Sequence, residues 1–140
     1  MTSPRTEWFR PMTARDPQEE HRASSPLELL FDLTFVVAIS TAAAELHHAI
    51  SEAHVLAGLF SYLAVFFAIW WAWMNFTWFA SAYDSDDALY RVLTVLKMAG
   101  VLVLAVGVPA AFEHFDLGTV VLGYTIMRIA MISLWLRAAH

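Results

Sequence analysis

From Leu27 onward the chain is a succession of long apolar runs separated by short polar breaks, and none of the runs carries a one-sided stripe. In the first run Leu29, Leu30, Phe31, Leu33, Phe35, Val36, Val37 and Ile39 cover every side of a helix, the pattern of a rod surrounded by apolar material. Its start is written in Ser25-Pro26-Leu27-Glu28, with Ser at the N-cap, Pro where the missing N–H costs nothing and Glu at the third position. This predicts a helix over about 26–47. A second run, about 55–82, contains no Asp, Glu, Lys or Arg and turns heavily aromatic between Trp70 and Phe79, as befits a span reaching the headgroup layer. After the acidic turn Asp84-Ser85-Asp86-Asp87, a third helix is predicted over about 88–108, ending at Gly107-Val108-Pro109 because proline breaks a helix interior. A fourth follows over about 117–137. Each run is long enough to cross a bilayer, since a helix of ~20 residues spans the ~30 Å hydrocarbon layer.

The fold class predicted is therefore all-α: a polytopic integral membrane protein with four transmembrane helices in an up-down bundle. Residues 1–24 are polar, contain Pro4, Pro11 and Pro17, and lack the apolar core of a signal peptide. They are expected to form a disordered tail before a transmembrane domain at 25–140. Orientation follows from charge. With the N-terminus inside, the cytoplasmic segments hold Arg5, Arg10, Arg15, Arg22, Arg91 and Arg137, while the external loops at about 48–55 and 109–116 hold no Lys or Arg. The expected location is the bacterial cytoplasmic membrane.

Composition agrees with lipid as the solvent. Hydrophobic residues make up 59% and charged residues 15%, against roughly 45–50% and 25% in ordinary globular chains. Eight of the 21 charged residues precede Ala23, which leaves too few for a wetted surface on the rest. A net charge of −5 and the lack of a basic stripe exclude a nucleic-acid partner. The absence of cysteine removes thiolate chemistry and disulfides. The partners to expect are the bilayer itself, a second copy, or further helices of a longer protein.

Four polar residues fall well inside the predicted spans: Asp32, Asn75, Lys97 and Arg128. Counted at 1.5 Å per residue, each lies roughly 9–15 Å from the cytoplasmic interface. An unpaired Asp, Lys or Arg at mid-span costs on the order of 2.5–3.5 kcal/mol, so these groups should face inward and meet. Asp32 is expected to pair with Arg128 or Lys97, with Asn75 adding hydrogen bonds and Tyr124, one turn before Arg128, sharing its face. Such a layer either fixes helix order and register or lines a path for a substrate or proton; the first reading asks less of the sequence. Glu28 lies one turn before Asp32, and the cap accounts for it more simply than a paired-carboxylate site does.

Other constellations are weaker. Glu45, His48 and Glu52, with His47, His54, Glu113 and His114 nearby, have none of the stricter zinc spacings and read as solvated loop ends. The Asp84–Asp87 turn lacks the sixth-position Gly and twelfth-position Glu of a calcium loop; acids at the start of a helix, facing its positive end, explain it better. No metal or cofactor is implied, and no nucleophile elbow or phosphate-binding loop points to an enzyme. Thr34, Ala38 and Ala42 on the first helix, and Gly100 and Gly107 on the third, mark faces where helices pack closely.

Three segments carry a family resemblance: Ser25 to Val36 (SPLELLFDLTFV), Trp70 to Asp87 (WWAWMNFTWFASAYDSDD) and Gly123 to Arg128 (GYTIMR). The chain resembles the bacterial low temperature requirement A family (LtrA) over about residues 23–139. The resemblance implies a multi-pass bacterial membrane protein named for a growth requirement in the cold, with no defined catalytic residues. It also implies a longer protein with additional membrane helices, to whose N-terminal part this chain corresponds. A transport or channel-like role and a non-transporting adaptation role are both compatible with it.

Overall fold

A computed structural model of the chain describes residues 12–16, 18, 24–84 and 87–140. The rest of the predicted disordered tail, and Ser85 and Asp86 of the acidic turn, lie outside the described residues. Four helices dominate: α1 (Pro26–Ser51), α2 (Val55–Ala82), α3 (Ala88–Glu113) and α4 (Gly118–Ala138). All four are long and apolar enough to cross a membrane. The shortest, 21 residues, is about 31 Å long at 1.5 Å per residue. Large apolar side chains such as Leu33, Val36, Phe60, Phe67, Val106 and Ile129 point outward, as they should where the surroundings are hydrocarbon.

The α1 start matches its sequence signature: Pro26 is the first helical residue and the Ser25 hydroxyl accepts from the Glu28 amide at 3.2 Å. Helices α1 and α2 are joined by residues 52–54, and α3 and α4 by residues 114–117, so sequence neighbours run antiparallel. Both turns reverse through a left-handed residue that is not glycine, Ala53 (φ 63°) and Phe115 (φ 55°). In each, an amide beyond the helix end donates back to a late helical carbonyl, His54 to Ala49 five residues before it and Asp116 to Ala110 six residues before it. Glycine removes the Cβ clash at such a position. Ala53→Gly is therefore expected to stabilise the chain by about 0.5–1 kcal/mol, read as a higher unfolding midpoint in detergent; an unchanged or lower midpoint would contradict this account of the turn.

Two expectations are corrected. The third helix does not stop at Pro109 but continues to Glu113 with the proline inside it. Proline forfeits one backbone bond, and neighbouring helices and local adjustment re-satisfy the freed group in membrane bundles. Nor is the described part of the tail free: β1 (Thr13–Ala14) pairs antiparallel with β2 (Tyr83–Asp84), Thr13 opposite Asp84 and Ala14 opposite Tyr83. The Arg15 amide continues the pairing to the Ala82 carbonyl, and its guanidinium donates to the Ala80 carbonyl at 3.2 Å. A cation thus meets the negative end of α2, where the last carbonyls have no helical partner.

The packing order differs from the chain order. Helix α3 makes its main contacts with α4 and with α1, and touches α2 only lightly; α2 and α4 also meet lightly. This puts α3 at the centre, and it is the most buried of the four. The core runs through Phe31, Phe35, Ala38 and Ala42 of α1, Val65, Ile69 and Phe76 of α2, Val101, Leu104 and Val108 of α3, and Met127, Met131 and Leu134 of α4. The α3–α4 contact is backbone to backbone. A Cβ on Gly123 would lie 2.4 Å from the Leu104 nitrogen and 2.5 Å from the Gly100 carbonyl oxygen.

Candidate functional site

Because α3 is central, its one lysine is carried into the bundle. Lys97 is 1% exposed. Its ammonium lies 3.3 Å from the Met131 sulfur on α4, 4.3 Å from the centre of the Phe76 ring on α2 and 5.4 Å from that of Phe31 on α1. The two rings are themselves 4.0 Å apart. All four helices therefore converge on one amine, whose protonated form the negative faces of two aromatic rings attract.

On the side facing α2 and α4, Lys97 borders a small cleft with Ala72, Asn75, Tyr124, Met127, Arg128 and Met131. Asn75, Tyr124 and Arg128 thus line the same cleft as Lys97. The Asn75 amide nitrogen donates to its own helix at Trp71 O, 2.7 Å away. Arg128 sits at the outer edge of the cleft, exposed, and its charge and that of Lys97 repel across it.

Asp32 does not join them. It is exposed, and its Oδ1 accepts from the Trp73 indole nitrogen at 2.9 Å. Asp32, Glu28, Trp73, Thr77 and Ala80 border a separate groove between α1 and α2, about 190 Å³ in volume. Among the described residues no ion pair links Asp32 to Lys97 or Arg128. The reason is angular: neighbouring helix residues point about 100° apart, so when Phe31 enters the core over Lys97, Asp32 is turned outward beside α2. The expected single layer is two places, a cationic cleft on one side of α2 and an acidic groove on the other.

Other sequence features separate cleanly. Glu45, His48, Glu52, His54, Glu113 and His114 surround an open depression of about 480 Å³ at the end formed by the two turns. His48 approaches Glu52 at 3.4 Å and His114 approaches Glu113 at 3.8 Å, and among the described residues no three such groups converge to hold a metal. At the opposite end, Asp87 caps α3 by accepting from the Tyr90 amide at 2.9 Å and is gripped in two-pronged fashion by Arg137 from α4, with Nη1 2.9 Å from Oδ1. Sequence reading placed an acid at this helix start but missed its partner, 50 positions away; the only signal available was opposite charge at two helix ends on the same side of the membrane. The outward Trp70, Trp71 and Trp78 suit a membrane belt, whereas Trp73 faces Asp32.

The model of the bacterial low temperature requirement A protein family matches residues 23–140. The chain belongs to this family. A relative in Rhizobium meliloti (strain 1021), an uncharacterised protein, is 30% identical over 117 residues, covering 84% of this chain and 26% of the relative. The chain thus spans about a quarter of that protein's length. No solved structure matches.

The segments that carry the LtrA resemblance are those that build the two places. Ser25 to Val36 supplies the α1 cap, Phe31 over the ammonium and Asp32 in the acidic groove. Trp70 to Asp87 supplies Trp73, Asn75, Phe76 and the Asp87 cap. Gly123 to Arg128 supplies the close approach to α3 and three borders of the cleft.

Proposed function

We propose that this LtrA family chain forms part of a protein of the bacterial cytoplasmic membrane, its Arg15 and Arg137 end inside, that moves a solute along the seam between α2 and α4. The observation that supports this most is Lys97: a basic side chain 1% exposed, among four apolar helices, held by rings and a sulfur in place of a carboxylate. A charge at that depth is expensive, and replacing a buried charge with a well-packed apolar residue is often neutral or stabilising. A purely structural role would be better served by methionine or leucine. No catalytic turnover, cofactor or nucleic acid enters this reading. The bilayer is the partner, together with a second copy or further membrane helices.

The test is flux. In proteoliposomes Lys97→Met is expected to reduce solute movement at least tenfold while the protein accumulates and stays monodisperse in detergent. A second reading, a non-transporting adaptation or assembly factor, is favoured by the Trp73–Asp32 bond, which ties α1 to α2 without any path. In that case Lys97→Met alters protein yield or stability, and no solute moves in the parent chain.

A further inference from the structure

Two basic side chains border one small space in this bundle, and among the described residues no carboxylate forms an ion pair with either. The Lys97 ammonium has three N–H donors. Around it stand a thioether and two ring faces, all weak acceptors. Arg128 adds a guanidinium at the mouth, Tyr124 a hydroxyl and Asn75 an amide on the adjoining wall. The Asn75 amide nitrogen is committed to the Trp71 carbonyl, so Lys97, Arg128 and Tyr124 supply the donors, and an anion between the two basic groups would balance their charge in an apolar slab where compensation matters most. The space itself is about 10 Å³, room for about one water-sized particle. A halide, somewhat larger than water, enters as the exposed Arg128 side chain at the mouth moves aside, and a tetrahedral oxyanion demands a larger displacement.

We propose that the cleft between Lys97 and Arg128, walled by Asn75 and Tyr124, binds one monovalent anion of halide size. This gives the transport reading above its substrate class; the movement of the ion rests on that reading, and its binding does not.

Binding is measured on the purified chain in detergent, replacing sodium gluconate by sodium chloride at constant ionic strength. The unfolding midpoint should rise with chloride, because a ligand bound only by the folded state stabilises it, and the chloride NMR line should broaden. Sulfate at the same ionic strength should reproduce neither effect, and exchanging sodium for potassium should change nothing. Lys97→Met should weaken the chloride response at least tenfold. Should that variant fail to fold, Arg128→Gln, changed at the exposed mouth, carries the same comparison with a weakening of about tenfold. Midpoints and line widths indifferent to chloride in the parent chain overturn the site, as does an equal response to sulfate or an undiminished chloride response in the folded variants. Chloride binding without chloride flux retires transport and keeps the site. Flux insensitive to Lys97→Met, with no binding, retires the site and keeps transport.

Discussion

Arg137→Gln is expected to destabilise the chain by about 3–5 kcal/mol, because it removes the charged partner of a carboxylate that has almost no access to solvent. The Asp87 side chain is 1% exposed and Arg137 13%, and the guanidinium meets both carboxylate oxygens. A two-pronged contact of this kind is among the stronger side-chain interactions because both partners are charged and the geometry is fixed. Asp87 also caps α3, so Asp87→Ala removes the ion pair and the cap together, the latter adding about 1 kcal/mol. The double variant Asp87→Asn with Arg137→Met should cost clearly less than Asp87→Asn and Arg137→Met made singly and summed, since the charge pair is then removed as a unit. The measurement is unfolding in a denaturing detergent titration across the four proteins of that cycle. Strict additivity would show that the two side chains do not depend on each other.

The second large effect concerns the α3–α4 contact. Gly123→Leu is expected to break the bundle open along that seam. Even the first carbon of the new side chain would fall 2.4 Å from a backbone nitrogen and 2.5 Å from a carbonyl oxygen, and backbone atoms cannot turn aside as a flexible side chain can. Overpacking in a dense interior costs typically about 1–3 kcal/mol; Gly123→Ala should lie in that range, and leucine beyond it. Gly118 is the control: a Cβ there meets only an Asp116 side-chain oxygen, at 3.1 Å, so Gly118→Ala should shift the midpoint far less. Equal midpoints for Gly123→Leu and the parent chain would mean that α3 and α4 do not meet in this way. Separating α3 from α4 would also pull Met131 and Arg128 away from Lys97, so chloride binding should be lost with the packing.

Much of this was legible beforehand, and the reasons differ by residue. Ser25 and Pro26 act within one turn of backbone, so their role as cap and first helical residue needs nothing from the rest of the chain. Ala38 and Ala42 are fully buried, as small residues on one helix face suggest wherever helices pack in lipid. Pro109 misled because its local preference to end a helix is overridden by the helices around it. Arg15 misled in the opposite sense: a polar, proline-containing tail reads as unstructured, yet its contacts lie at the far end of α2, 65 positions away.

The mid-span polar residues show where sequence stops. Burial cost identifies Asp32, Asn75, Lys97 and Arg128 as positions that need a partner, and it is a property of each residue alone. Which partner each finds depends on the rotation of every helix about its axis and on which helix stands in the middle. Nothing in the apolar runs fixes either, because a helix apolar on all sides has no face that must turn inward. The amino-acid sequence determined four spanning rods, the capped start of the first and the depth of their charges, since length, hydropathy and capping are local properties. The tertiary structure alone decided that α3 is central, that Lys97 meets rings and a sulfur while Asp32 meets an indole, and that Asp87 is held by Arg137. Close backbone contact at Gly100 and Gly123 sets those rotations, and through them which side chains meet.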